Sequence, residues 1–174
     1  EKCEIGINAD NIFRQADTLF NKREYEKAIE EYEKAKPLYE EIEHTEKVQE
    51  CIRKIDEANN WIALREEAAS LLSQAEEALA RAPSTFDPAG YESAKSLFEQ
   101  SRSKWEEYND PAQVAVCEEK IALCNDGISH IKRTKIMVIA TVAVVAAGLV
   151  IAAVILIRRK KTIKESSQKK EDSV

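Results

Sequence analysis

The chain is predicted to be all-α, with an antiparallel repeated helical domain followed by a single transmembrane helix. Three observations carry that prediction. Apolar residues recur at helical spacing through most of residues 9–130. Only four Gly and four Pro punctuate the 174 residues, and none lies between Pro37 and Pro83, so long helices are permitted there. The run IMVIATVAVVAAGLVIAAVILI, Ile136 to Ile157, holds no charge in 22 positions. As a helix it spans roughly 33 Å, against roughly 30 Å for a bilayer's hydrocarbon core.

Taken in order, residues 1–8 read as an N-terminal extension. Ile12, Phe13, Ala16, Leu19 and Phe20 mark a first helix, with Asn8 or Asp10 as its cap. Tyr25, Ala28, Ile29, Tyr32, Ala35, Leu38 and Ile42 mark a second. Val48, Cys51, Ile52, Ile55, Ala58 and Ile62 mark a third that starts near Thr45 and continues through Ala68, Leu71, Leu72, Ala75 and Leu79. This is either one rod over 45–81 or two helices, the favoured break being Asn59-Asn60, since Asn is a poor helix former. After the loop APSTFDPAG, Asp87-Pro88 supplies a cap and first-turn proline for a helix carrying Tyr91, Ala94, Leu97, Phe98, Trp105 and Tyr108. Asp110-Pro111 repeats the device for a helix expected to end at the turn signal NDG, Asn125 to Gly127.

The chain resembles itself. Shifted by 66 residues, YEKAIEEYEKAKPLYEE lies on YESAKSLFEQSRSKWEE: Tyr25 on Tyr91, Ala28 on Ala94, Tyr32 on Phe98, Tyr39 on Trp105. The match continues ungapped through Val48 on Val114, Cys51 on Cys117, Ile55 on Ile121, Asn59 on Asn125 and Ile62 on Ile128, with about a third of the pairs identical. Upstream the offset is 59, placing Gln15-Ala16 on Gln74-Ala75. An internal duplication is the expectation, with a first unit at 9–62 and a second at 63–130. A juxtamembrane segment and span (131–157) and a basic, disordered tail (158–174) complete the organisation.

Residues 12–38 resemble a tetratricopeptide (TPR) repeat through the small pair Ala16 and Ala28, the bulky Leu19, Tyr25 and Tyr32 one turn away, and Ala35 following. Small residues let two helices approach closely while large ones fill the groove beside them. The second copy, with Ala75, Tyr91, Ala94, Phe98 and Ser101, has a longer loop than the family pattern. The expected fold is therefore a TPR-like helical repeat of two three-helix units. The resemblance implies a protein-binding scaffold. One TPR subclass clamps a C-terminal carboxylate with Lys and Asn on its first helix; Phe13 and Asp17 stand at those positions, so that activity is not implied.

Charge separates the chain into two parts. Residues 1–135 hold 19 basic against 29 acidic side chains, net −10, and the remainder is net +4. The acidic part argues against nucleic acid, whose phosphates need concentrated positive charge. Lys132, Arg133 and Lys135 flank the apolar run on one side; Arg158, Arg159, Lys160, Lys161 and Lys164 flank it on the other. The larger cluster is expected to stay cytoplasmic, leaving the acidic domain outside. A first residue of Glu1, with Met137 as the lone methionine, fits removal of a signal peptide.

Enzymatic chemistry is not expected. No P-loop, G-x-G-x-x-G, G-x-S-x-G or H-E-x-x-H occurs. Runs such as EEIEHTEK read as solvated helix faces. Cys3, Cys51, Cys117 and Cys124 form no C-x-x-C, so no zinc site, other metal or cofactor is expected. Cys117 and Cys124 are seven apart on a helix, about 10.5 Å by rise, too far to pair with each other. The four cysteines remain disulfide candidates outside the cytoplasm, the three on apolar stripes being equally at home as core thiols.

The expected function is a membrane-anchored protein interaction scaffold, with a protein partner of unspecified identity and the bilayer engaged through Ile136 to Ile157. Phe13, Tyr25, Trp61 and Trp105 are its aromatic contact candidates, each also readable as core. In the span, Ala143 with Ala147 and Gly148 with Ala152 are small pairs through which two spans can pack into a homo- or hetero-oligomer. The alternatives are a structural subunit of a larger membrane or surface complex, and a cytosol-facing TPR receptor or assembly factor.

Overall fold

The computed structural model describes residues 1–82 and 87–171, with side chains through 156. Those residues form five α-helices and no strand: α1 (Lys2–Asn21), α2 (Tyr25–Glu41), α3 (Thr45–Arg81), α4 (Ala89–Tyr108) and α5 (Pro111–Glu171). Residues 83–86 of the expected loop, and residues 172–174, lie outside the described residues.

Each helix packs on the next: α1 on α2, α2 on α3, α3 on α4, α4 on α5. The register makes every pair antiparallel. Tyr32 Oη donates to Asp17 Oδ1 (2.6 Å) and Tyr39 Oη to Asp10 Oδ1 (2.7 Å), positions rising along α2 as they fall along α1. Lys104 Nζ meets Glu67 Oε2 at 2.9 Å, while Gly90 lies against Ala82, ordering α4 against α3 in the same way. Because α3 is 37 residues long, its first half completes a three-helix unit with α1 and α2, and its second half opens another with α4 and α5.

Burial follows the offsets found in the sequence. Ala28 and Ala94, Tyr32 and Phe98, Ala35 and Ser101, Cys51 and Cys117, and Ala58 and Cys124 are all fully buried. At the other offset, Ala9 and Ala68, and Ala16 and Ala75, are fully buried too. The small residues are the contact points: an alanine facing a neighbouring helix leaves room for the aromatic one turn away.

Four elements differ from expectation. Helix α1 begins at Lys2, so the predicted N-terminal extension is helical and Asn8 and Asp10 lie inside α1, not at its cap; the Asp10 carboxylate instead accepts the Tyr39 hydroxyl. Helix α3 passes through Asn59-Asn60 without a break. Both asparagines are exposed, and their propensity penalty of a few tenths of a kcal/mol each is outweighed by burial of Ala58 and Ala68 on either side. Helix α5 likewise runs through NDG, where Gly127 serves packing and makes no turn: a Cβ there would stand 2.6 Å from the Tyr91 ring. The backbone of the basic segment expected to be disordered continues α5 to Glu171; its Lys, Arg, Gln and Glu are good helix formers extending an existing helix.

The three short turns are one motif. In each, a residue one or two places past the helix has φ near +60°: Arg23 (62°), Glu43 (62°) and Asn109 (60°). Its N–H reaches back three residues and the following N–H reaches back five: Arg23 to Phe20 and Glu24 to Leu19, Glu43 to Glu40 and His44 to Tyr39, Asn109 to Glu106 and Asp110 to Trp105. This is the Schellman arrangement, usually closed by glycine because a Cβ is strained there. Asn109 tolerates it; Glu43 has no such excuse, and its exposed bridge to Lys2 at 3.4 Å contributes little. Glu43→Gly should therefore raise stability by about 0.5–1 kcal/mol, net of the extra freedom glycine gives the unfolded chain. The urea midpoint should rise with an unchanged slope; a lower midpoint would show that this backbone conformation is unstrained.

Candidate functional site

Where the two units meet, the α1–α2 turn touches the α4–α5 turn. Arg23 Nη1 donates to the carbonyls of Tyr108 (3.2 Å) and Asn109 (2.9 Å), and its guanidinium carbon lies 5.5 Å from the Tyr108 ring centre. Beneath this bridge is an aromatic hub. Tyr25 stacks on Trp61 (6.4 Å between centroids, 11° between planes) and meets Phe20 and Tyr108 edge-on; Tyr108 also meets Trp61 and Trp105 edge-on, at 6.2 and 5.8 Å.

Three of the four aromatic contact candidates thus converge, and the fourth does not. Phe13 is core of the first unit, edge-on to Tyr32 (5.3 Å) and Tyr39 (6.3 Å), under the ammonium of Lys47 at 4.5 Å. Tyr25 and Trp105 are 5% and 6% exposed, so their role is to hold the hub together. Trp61 alone is half-buried and reaches the surface.

There it lines an open cleft of about 360 Å³ with Asn60, Ala63, Leu64, Glu67 and Glu107. One wall is apolar, the other carboxylate. Glu67 is already bridged to Lys104, whereas Glu107 has no ion-pair partner among the described residues. An indole face beside a carboxylate suits a side chain with an aliphatic stem and a cationic head, because attraction to the ring and to the carboxylate act on the same group. Sequence reasoning found Trp61 but not Leu64, Glu67 or Glu107. Their convergence depends on α3 continuing past Asn60 so that this turn faces the end of α4.

The fold does not demand an indole at this place. Under the 66-residue shift Trp61 falls on Gly127, and Tyr25 on Tyr91, so the second unit seats its tyrosine against a bare backbone. No family model, no curated protein and no solved structure matches the chain. The reading of this site accordingly rests on its own geometry.

No group of three or more His, Cys, Asp or Glu capable of holding a metal occurs among the described residues. All four cysteines are free thiols, Cys3 exposed and the other three buried in three separate clusters. Cys117 Sγ donates to Ser101 Oγ (3.7 Å), which donates in turn to the Ala68 carbonyl (2.8 Å). Burial pushes the Cys51 thiol up to about 11 from an ordinary 9, and raises Cys117 and Cys124 as well. Burial, reinforced by their hydrogen bonds to Asp17 and Asp10, raises Tyr32 and Tyr39.

These groups keep their protons in the folded chain at pH values where the unfolded chain loses them. Stability should therefore be fully present below about pH 9 and decline toward about pH 11. Urea midpoints at about pH 8 and about pH 10.5 test this: the wild type should lose more between them than Cys51→Ala, and equal losses would contradict it.

The span candidates lie elsewhere. By length and composition α5 is long and apolar enough to cross a membrane, and its most apolar stretch is wholly unburied. Ala143, Ala147, Gly148 and Ala152 are exposed, with nothing within 4 Å of a Cβ placed on Gly148. The Ala143–Ala147 pair and the Gly148–Ala152 pair stand about 140° apart around the helix, so they are two separate faces.

Proposed function

We propose that this is a single-pass membrane protein whose acidic, TPR-like helical domain holds a partner protein through the Trp61 cleft, with the domain on the extracytoplasmic side. The observation that carries the reading is the contrast between Trp61 and Gly127. A half-buried tryptophan stands at a position that the equivalent unit fills with glycine, and beyond its contacts with Tyr25 and Tyr108 it opens onto a cleft. The partner presents a basic segment, whose Lys or Arg lies over the indole with its charge at Glu107. The TPR-like reading is supported by the small pair Ala16 and Ala28, both fully buried in one cluster with Tyr32. Sidedness is supported by the larger cluster, Arg158 to Lys164, beyond the apolar run. Tethering raises the scaffold's local concentration for partners at the same membrane.

Crosslinking with mass spectrometry on the full chain extracted in mild detergent tests the proposal. Crosslinks should join the domain to another protein near Asn60 to Glu67, and Trp61→Ala should reduce them about tenfold, the loss typical of a tryptophan anchor. Stability should fall by about 1–3 kcal/mol, the loss of a half-buried indole that meets the rings of Tyr25 and Tyr108, with the helical circular dichroism retained. A soluble domain without crosslinks, or crosslinks indifferent to Trp61, would sink the scaffold reading.

A further inference from the structure

The second unit has a depression at the corresponding helix positions, formed by α5 alone and with different chemistry. Asp126, Gly127, Ser129, His130 and Arg133 line a surface concavity of about 470 Å³ on α5. Shifted back by 66, these are Asn60, Trp61, Ala63, Leu64 and Glu67, the α3 residues of the cleft already described. Five positions of one fold thus form a depression twice. In the first they supply an indole, a leucine and a carboxylate; in the second, a hydroxyl, an imidazole, a guanidinium and, at the end far from the apolar run, the carboxylate of Asp126.

Location separates them further. Arg133 precedes the apolar run by three residues, about 4.5 Å of helical rise, and His130 by six, about 9 Å. The headgroup layer on each side of a bilayer is roughly 5–7 Å deep. Arg133 therefore stands inside that layer, His130 at its outer edge, and Asp126, a further turn away, above it. Ile131 is still buried in the domain, so only 132–135 separate the packed part of α5 from the apolar part.

The one carboxylate lining the concavity is Asp126, a turn from His130 and on the side away from the apolar run. No Asp or Glu occurs between Asp126 and Glu165, and Lys132, Arg133 and Lys135 make no ion pair among the described residues. The side chains of Ser129 and His130 make no hydrogen bond there either. Elsewhere in the domain, cations such as Lys54, Arg65 and Lys104 each meet a carboxylate on another helix.

We propose that this second cleft binds the headgroup of an anionic phospholipid, its phosphate held by Ser129, His130 and Arg133 with Lys132 and Lys135 adding to the field. The inference rests on the membrane-spanning reading of α5, but not on the side of the membrane or on the Trp61 cleft. The duplicated cleft has one copy for a protein and one for the surface the protein stands on.

The test uses the full chain in mild detergent, titrated with phosphatidylglycerol, phosphatidylcholine or inorganic phosphate and followed by native mass spectrometry. Phosphatidylglycerol should bind about tenfold tighter than phosphatidylcholine, and inorganic phosphate should not displace it. The double variant H130Q/R133Q should lose about fivefold in phosphatidylglycerol affinity, the share of one cation at an anionic surface, and nothing for phosphatidylcholine. Arg133→Lys should retain most of the preference, and Lys22→Gln, an exposed cation at the distant α1–α2 turn, should change nothing. Equal binding by wild type and double variant would overturn the site, and displacement by inorganic phosphate would make it a free-phosphate site. Flotation with phosphatidylcholine vesicles separates the two readings. If wild type and double variant both float, a failed lipid preference is a failure of the cleft alone; if neither floats, the membrane reading falls and the inference with it.

Discussion

Replacing Val145 and Leu149 with lysine should release the chain from membranes. The run Ile136 to Ile157 contains 13 Val, Ile and Leu residues, each favouring insertion by about 0.3–0.6 kcal/mol, or about 4–8 kcal/mol together. Two lysines near the middle cost about 5–7 kcal/mol and remove two of the favourable contributions, leaving insertion near zero or unfavourable. Lysines at Val116 and Leu123, also exposed but on the domain half of the same helix, should leave membrane association intact. Alkaline extraction of membranes from cells making each variant distinguishes the two. A Val145/Leu149 double variant that stays in the membrane pellet would show that α5 is held there by something other than a span.

Tyr32→Ala should destabilise the domain by about 3–5 kcal/mol, a large fraction of the 5–15 kcal/mol available to a domain of this size. Tyr32 is fully buried between α1 and α2, edge-on to Phe13, with its hydroxyl given to Asp17. The alanine leaves a cavity where two helices touch through small residues that cannot grow to fill it. Tyr32→Phe should cost only about 1 kcal/mol, because it removes one hydrogen bond and leaves Asp17 partly exposed beside Lys54 at 3.7 Å. Urea unfolding read by circular dichroism should resolve the two; a similar loss for both would mean that the hydroxyl, and not the ring, carries the site.

Much of this fold was legible because its signals are local. The Asp-Pro pairs mark the starts of α4 and α5: the Asp87 and Asp110 carboxylates accept backbone N–H groups of Ala89, and of Ala112 and Gln113. The stripe from Tyr25 to Ile42 delimits α2 to within a residue. What misled was also local. Asn59-Asn60 and Asn125 to Gly127 carry turn chemistry, yet each sits on a helix held by packing on both sides, and packing outweighs a few tenths of a kcal/mol of propensity. The left-handed turns at Arg23 and Glu43 gave no signal, since neither residue advertises a positive φ. For the site, Trp61 was visible as an aromatic, but its meaning comes from Gly127, and that comparison needs both the alignment and the knowledge of which rings are already core.

Helix α5 leaves the domain without a joint, and that makes it a mast. In the proposed membrane arrangement, 25 residues separate Pro111 from Ile136, about 38 Å of rise for a helix along the normal. Trp61, in contact with Tyr108 just before that helix, is carried at the same height. The remaining half of α3 and the α1–α2 pair reach about 24 Å further, judged from the 16 residues between Trp61 and Thr45. A flexible stalk would let the cleft sample every height down to the lipid; this one fixes its elevation. On the proposed reading, a partner would have to rise about 40 Å from the surface or arrive from solution.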